Sequence, residues 1–181
     1  MALRTLEAST EIKAPIERVY AYVADFPRHI EWNARPEAMK ALTEGPAAVG
    51  SIYATRESMP ENMAFREKLM FKLMMPRMMK KAGSDGLTHA EITALDESRL
   101  VAWKAHMPSK NKGDLMRISW DLELEPTDSG TRITQRCTID PPAGSPFAKM
   151  VNDGMVKNTR EGCEANLATL KAMMESRAGV G

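Results

Sequence analysis

Residues Leu115 to Glu125 alternate without a break. Met116, Ile118, Trp120, Leu122 and Leu124 fall on one side, and Arg117, Ser119, Asp121, Glu123 and Glu125 on the other. A strand repeats every two residues, so this segment presents one apolar and one charged face. A parallel sheet covered by helices on both sides has no place for it. The pattern demands an antiparallel sheet with one face buried and one in water. Asp128-Ser129-Gly130 supplies a hairpin turn. Thr131 to Asp140 returns, with Ile133, Gln135, Cys137 and Ile139 on one face and Arg132, Thr134, Arg136 and Thr138 on the other.

The same rhythm recurs upstream. Residues 5 to 13 alternate Leu6, Ala8, Thr10 and Ile12 with polar neighbours. Further strands are predicted over 37–43, from Gly50 through Thr55, over 88–95 and over 100–107. Pro15 opens a helix carrying Val19, Tyr22, Val23 and Phe26 at helical spacing, and a short second helix passes through Ile30 and Trp32. Residues 59–82 break the strand rhythm, and 64–75 predict a helix that stops at Pro76. From about 145 to 176 apolar residues recur every three or four, at Phe147, Met150, Met155, Leu167, Leu170 and Met174. A helix of roughly 30 residues is ~45 Å long and can cross a whole sheet. The expected fold is therefore α+β: one domain over 1–181, with a curved seven-stranded antiparallel sheet wrapped around a long C-terminal helix. A helical Met-rich insertion follows the third strand. The long helix is the element large enough to cover the apolar face.

Composition narrows the function. With 43% hydrophobic and 27% charged residues the chain reads as soluble and globular. Its net charge of +1 argues against gripping nucleic acid through phosphates. No stretch approaches the ~18 apolar residues that span a bilayer, and Met1 to Thr10 lacks the apolar core of a secretory signal, so a cytoplasmic location is expected. Cys137 and Cys163 are too few for a disulfide framework and read as reduced, buried thiols.

Four stretches, in this order, resemble the START-like (SRPBCC) superfamily, in particular its polyketide cyclase/dehydrase and lipid-transport group with a helix-grip fold. They are Ile12 to Tyr20, Val23 to Trp32 (with Asp25 and Trp32), Gly130 to Thr134, and Asn166 to Lys171. The resemblance spans nearly the whole chain. It implies a cavity between sheet and C-terminal helix that accepts a lipid or another hydrophobic molecule, or that serves an aromatase/cyclase. The Met-rich segment departs from the common pattern.

Candidate cavity-wall residues follow from the faces. Tyr53 and Thr55 share one strand face. Trp103, Met107, Met116, Ile118 and Trp120 lie on the inner sheet face, Cys137 and Gln135 on the returning strand, and Met155 on the helix stripe. Met70 and Met74 come from the insertion. For each, plain core packing is the alternative reading. Gln135 stands apart because a buried amide must be hydrogen-bonded. It either bonds a partner on the long helix, such as Asn158 or Asn166, or anchors a ligand inside an apolar pocket. His29, His89 and His106 are isolated in sequence and expected at the surface. With no ligand-like spacing there is no zinc site, and no P-loop, GxGxxG or GxSxG motif points to a cofactor or a nucleophile.

Seven of the 15 methionines fall between Met59 and Met79, among Arg66, Lys68, Lys72, Arg77, Lys80 and Lys81. Three readings apply: a helix that plugs the sheet with methionine as filler, a lid or membrane-touching amphipathic helix, and a thioether site for Cu(I) at Met74, Met75, Met78 and Met79. The leading functional expectation is binding or carriage of a small hydrophobic molecule, such as a lipid, isoprenoid or polyketide, without catalysis. A cyclase or dehydratase is the alternative, with no catalytic pair identified among Asp25, Glu57 and Glu91. A protein-interaction module docking through the Met-rich helix is the third. Oligomeric state is left open.

Overall fold

The computed structural model describes residues 3–58, 65–111, 113–142, 151 and 153–176, apart from the side chains of residues 67, 70 and 71. Seven strands form one antiparallel sheet in the order β1-β7-β6-β5-β4-β3-β2. They are β1 (Arg4–Ile12), β2 (Pro36–Ala41), β3 (Ile52–Glu57), β4 (Thr88–Asp96), β5 (Leu100–Ser109), β6 (Gly113–Thr127) and β7 (Gly130–Ile139). The helices are α1 (Ile16–Ala24), α2 (His29–Trp32), α3 (Phe65–Ala82) and α4 (Asp153–Ser176), with a short 3-10 turn at Phe26–Arg28. The expected start of the long helix near residue 145, with Phe147 and Met150, lies outside the described residues, as do Met59 and Met63.

The alternation read in β6 and β7 sets the register. Leu124 opposes Ile133, Leu122 opposes Gln135 and Trp120 opposes Cys137. β1 closes the far side, with Ala8 against Gln135 and Leu6 against Cys137. All these side chains face inward, where Cys163, Leu167, Leu170 and Met174 of α4 join them in one core. The outer face is wet and ion-paired: Arg136 bridges Glu123 at 2.8 Å and Glu7 at 3.2 Å, binding three strands across the sheet. The β6–β7 turn sits under the β1–α1 corner. A side chain at Gly130 would meet the Ile12 carbonyl at 2.2 Å, so glycine is required there.

The helix expected to stop at Pro76 instead runs through it to Ala82. Proline removes one helix hydrogen bond and crowds the turn before it, and two features offset that loss. The Arg77 guanidinium donates to the Leu73 carbonyl at 2.8 Å. Beyond the proline, Met79 and Ala82 bury themselves against Leu115. The helix then ends where Gly83, at φ +71°, turns left-handed. Ser84 N donates to Met79 O and Gly83 N to Lys80 O, a Schellman cap. The β5–β6 turn adds Asn111 N to Ala82 O. Leu115, off the alternating apolar face of β6, is fully buried because α3 covers it.

Candidate functional site

α4 lies along the inner face nearest β1, and the inner residues of β6 grade outward from it. Leu122 and Leu124 are buried, whereas Trp120, Ile118 and Met116 are only partly covered. Trp120 stacks on Trp103 of β5, with centroids 6.0 Å apart and planes 13° from parallel. Trp103 in turn meets Phe26 edge-on at 5.4 Å, and Phe26 lies 4.9 Å from Tyr53. An aromatic wall therefore runs from β3 to β6, formed by residues far apart in sequence.

Gln135, on β7 between Leu122 of β6 and Ala8 of β1, is 0% exposed. Neither its Nε2 nor its Oε1 has a hydrogen-bond partner. Neither helix partner considered from sequence, Asn158 or Asn166, bonds it, and Asn166 is engaged elsewhere. Asn166 Nδ2 donates to Asn33 Oδ1 at 3.0 Å, and Asn166 Oδ1 accepts from Ala34 N at 3.1 Å. Burying an unpaired amide costs about 1–3 kcal/mol, so a residue of this kind needs a reason to be where it is. Among the described residues Trp32 Nε1 is a further buried donor without a hydrogen-bond partner, whereas Arg35 Nε makes no hydrogen bond but is ion-paired with Glu57 Oε2. Arg35 lies 3.6 Å from Glu57, and its charge reaches the thiols of Cys137 and Cys163. Asn33 Oδ1 also accepts from Arg35 N at 3.1 Å, so the Asn166 network places the arginine.

The other sequence candidates distribute as follows. Tyr53 is buried in the aromatic wall. Thr55 is buried too, its hydroxyl donating to Glu57 Oε1 at 3.1 Å and sharing the Thr88 carbonyl at 3.2 Å. Met116 and Met155 pack at the margin of the main core, and Met107 packs with α3 rather than with the aromatic wall. A bulge between His106 and Pro108 shifts the β5 register at that point. Met74 is 54% exposed, turned away from the sheet, because α3 packs through Met75, Met78, Met79 and Ala82. The Met70 side chain lies outside the described residues. Burial pushes the Cys163 thiol up to about 11 and raises that of Cys137 further, so both are held protonated.

His29 corrects the surface expectation. It is 2% exposed, its Nε2 donates to Val23 O at 2.7 Å, and its ring lies 4.4 Å from Phe26 and 5.1 Å from Trp103. Burial lowers its pKa to about 4, so the imidazole is neutral at pH 7. α2 is a single turn with no periodicity to reveal its buried side, so sequence reasoning missed it. His89 and His106 face each other across β4 and β5, their rings 5.6 Å apart and partly exposed. Among the described residues no cluster of His, Cys, Asp and Glu suits a metal ion, and no helix is long and apolar enough to cross a membrane.

An open antiparallel sheet with a long C-terminal helix packed on its inner face is the helix-grip fold of START-like proteins. Residues 4–175 match the family described as polyketide cyclase / dehydrase and lipid transport, and the chain belongs to it. No curated protein matches the sequence. Several solved structures share the fold. Ara h 8.0201 superposes with a TM-score of 0.62 at 13% identity, over 97% of this chain and 99% of its own. The ginseng major latex-like protein 151 from Panax ginseng gives 0.61 at 14% identity, over 95% and 97%. The di-domain ARO/CYC StfQ from the steffimycin biosynthetic pathway gives 0.62 at 16% identity; 98% of this chain spans 52% of StfQ. At such identities the likeness is one of fold.

Proposed function

We propose that this protein binds a small hydrophobic molecule (a lipid, isoprenoid or polyketide-like compound) between the sheet and α4, and that the molecule carries an oxygen-bearing polar end. The observation that supports this reading is Gln135: fully buried, inward-facing, with both amide atoms unpaired. Apolar pockets fix ligand orientation with a few such groups. Trp32 Nε1, a second buried donor without a partner among the described residues, suits a carbonyl or carboxyl oxygen. Binding or carriage is favoured over catalysis because an amide orients a carbonyl but has no proton to transfer near neutral pH. His29, already bonded to Val23 O and neutral, supplies no general acid.

The test is native against denaturing mass spectrometry on freshly purified protein, wild type and Gln135→Leu. A mass excess that disappears on denaturation, and that falls in the variant, is the expected result. The same two proteins are then titrated with palmitic acid by displacement of a bound naphthalene-sulfonate dye. Absence of any adduct together with identical displacement curves would overturn the proposal. Turnover of a poly-β-keto substrate that is lost in the variant would replace it with the cyclase reading.

A further inference from the structure

We infer that the outward face of α3 is a docking surface for an anionic lipid membrane. Phe65, Leu69 and Leu73 follow each other at intervals of four residues, one above the next on a helix, and are 80%, 48% and 53% exposed. Pro76 is exposed along the same stripe. The opposite side of α3 is already occupied, since Met75, Met78, Met79 and Ala82 pack on Leu115, Met107 and Met116. The helix is thus anchored by one face and presents a second apolar face to the outside, which core packing does not explain.

Charge selects the partner. α3 carries six basic residues and a single acidic one, Glu67, in a chain whose net charge is only +1. The remainder of the protein is therefore net acidic, and the molecule has a basic pole at this helix. Arg66, Lys72, Arg77, Lys80 and Lys81 are all exposed. At 100° per residue, Lys72 borders the Phe65–Leu69–Leu73 stripe on one side and Arg66 and Arg77 border it on the other. An apolar stripe edged with long cationic side chains fits the boundary between acyl chains and anionic headgroups, with the stems lying in the apolar layer and the charges reaching the phosphates. A protein groove would satisfy the stripe without calling for the cations. The inference stands on α3 alone and does not depend on what Gln135 holds.

The experiment is sedimentation of the full chain with sucrose-loaded vesicles of neutral phosphatidylcholine, or of phosphatidylcholine with about a third phosphatidylserine, a level that gives a strongly negative surface. Binding to the anionic vesicles is expected, weakened by 0.5 M salt and at least about tenfold weaker to neutral ones. Leu69→Glu with Leu73→Glu should abolish it. Arg66→Gln with Lys72→Gln and Lys80→Gln should reduce it on the order of tenfold or more. These positions are exposed, and unchanged circular dichroism and thermal midpoints verify folding of each variant. No sedimentation of folded wild type with anionic vesicles overturns the inference, as does binding that survives the Leu69/Leu73 change. A concentration-dependent mass abolished by that change, without vesicle binding, overturns it in favour of a second copy of the chain.

Discussion

Asn166 of α4 and Asn33 after α2, 133 residues apart in the chain, are bonded side chain to side chain at 3.0 Å. Asn166 spends its carbonyl oxygen on Ala34 N, holding the α2–β2 connection against the long helix. Gln135 is left without the helix partner that a closed core would supply. Replacing Asn166 with Ala strands the Ala34 amide and one Asn33 contact. We expect a loss of about 1–3 kcal/mol, read as a lower urea midpoint. An unchanged midpoint would show that the connection is held by other contacts.

Gln135→Leu should act with the opposite sign on stability. In protein refolded from denaturant, and so freed of bound molecules, the variant removes an unpaired buried amide and adds apolar contact. A gain of about 1 kcal/mol or more is expected, alongside the loss of ligand described above. A destabilised variant would mean that the amide is satisfied in solution without a ligand, for instance by ordered water.

The buried His29 makes stability depend on pH. Its native pKa is about 4, against 6.5 for an ordinary imidazole. Between these values the unfolded chain takes up a proton that the native protein does not. The stabilisation is complete above pH 6.5 and is lost as pH falls towards 4, by up to about 3 kcal/mol. Urea midpoints at pH 7 and pH 5 should differ more in wild type than in His29→Gln. Equal differences would remove His29 as the cause.

Both thiols should be inert in the native state. Cys137 and Cys163 are buried, and burial raises both pKa values. Iodoacetamide at pH 8 should alkylate them at least about a hundredfold more slowly than in urea-unfolded protein. Rapid modification of Cys163 would reveal opening of α4 from the sheet.

Leu115→Ala tests the anchor of α3. Leu115 is fully buried beneath Met79 and Ala82. Truncation should cost about 3 kcal/mol, and brief trypsin treatment should cut first at the basic residues of α3. A variant as resistant as wild type would place the anchoring of α3 in its cap at Gly83 and Asn111.

Much of this protein could be read from residue order alone, wherever one element faces water on one side and apolar neighbours on the other. The two-residue rhythm of β6 and β7 specified strand type, pairing and inward face, because a one-residue slip would turn Leu122 and Ile133 into water. The α4 stripe at Leu167, Leu170 and Met174 was legible for the same reason. What tertiary structure alone decided lies where local preference is weak or overruled. His29 is buried by Phe26, Trp32 and Trp103, and a single-turn helix shows no periodicity from which to infer that. α3 continues past Pro76 because Leu115, distant in the chain, rewards its last two turns with burial. Residue order placed Gln135 inside and supplied Asn158 and Asn166 as candidate partners. That Asn166 turns instead to Asn33 and Ala34, leaving the Gln135 amide without that partner, was decided by how the long helix lies on the sheet, since hydrogen bonds are short and directional and only the folded geometry determines which groups meet.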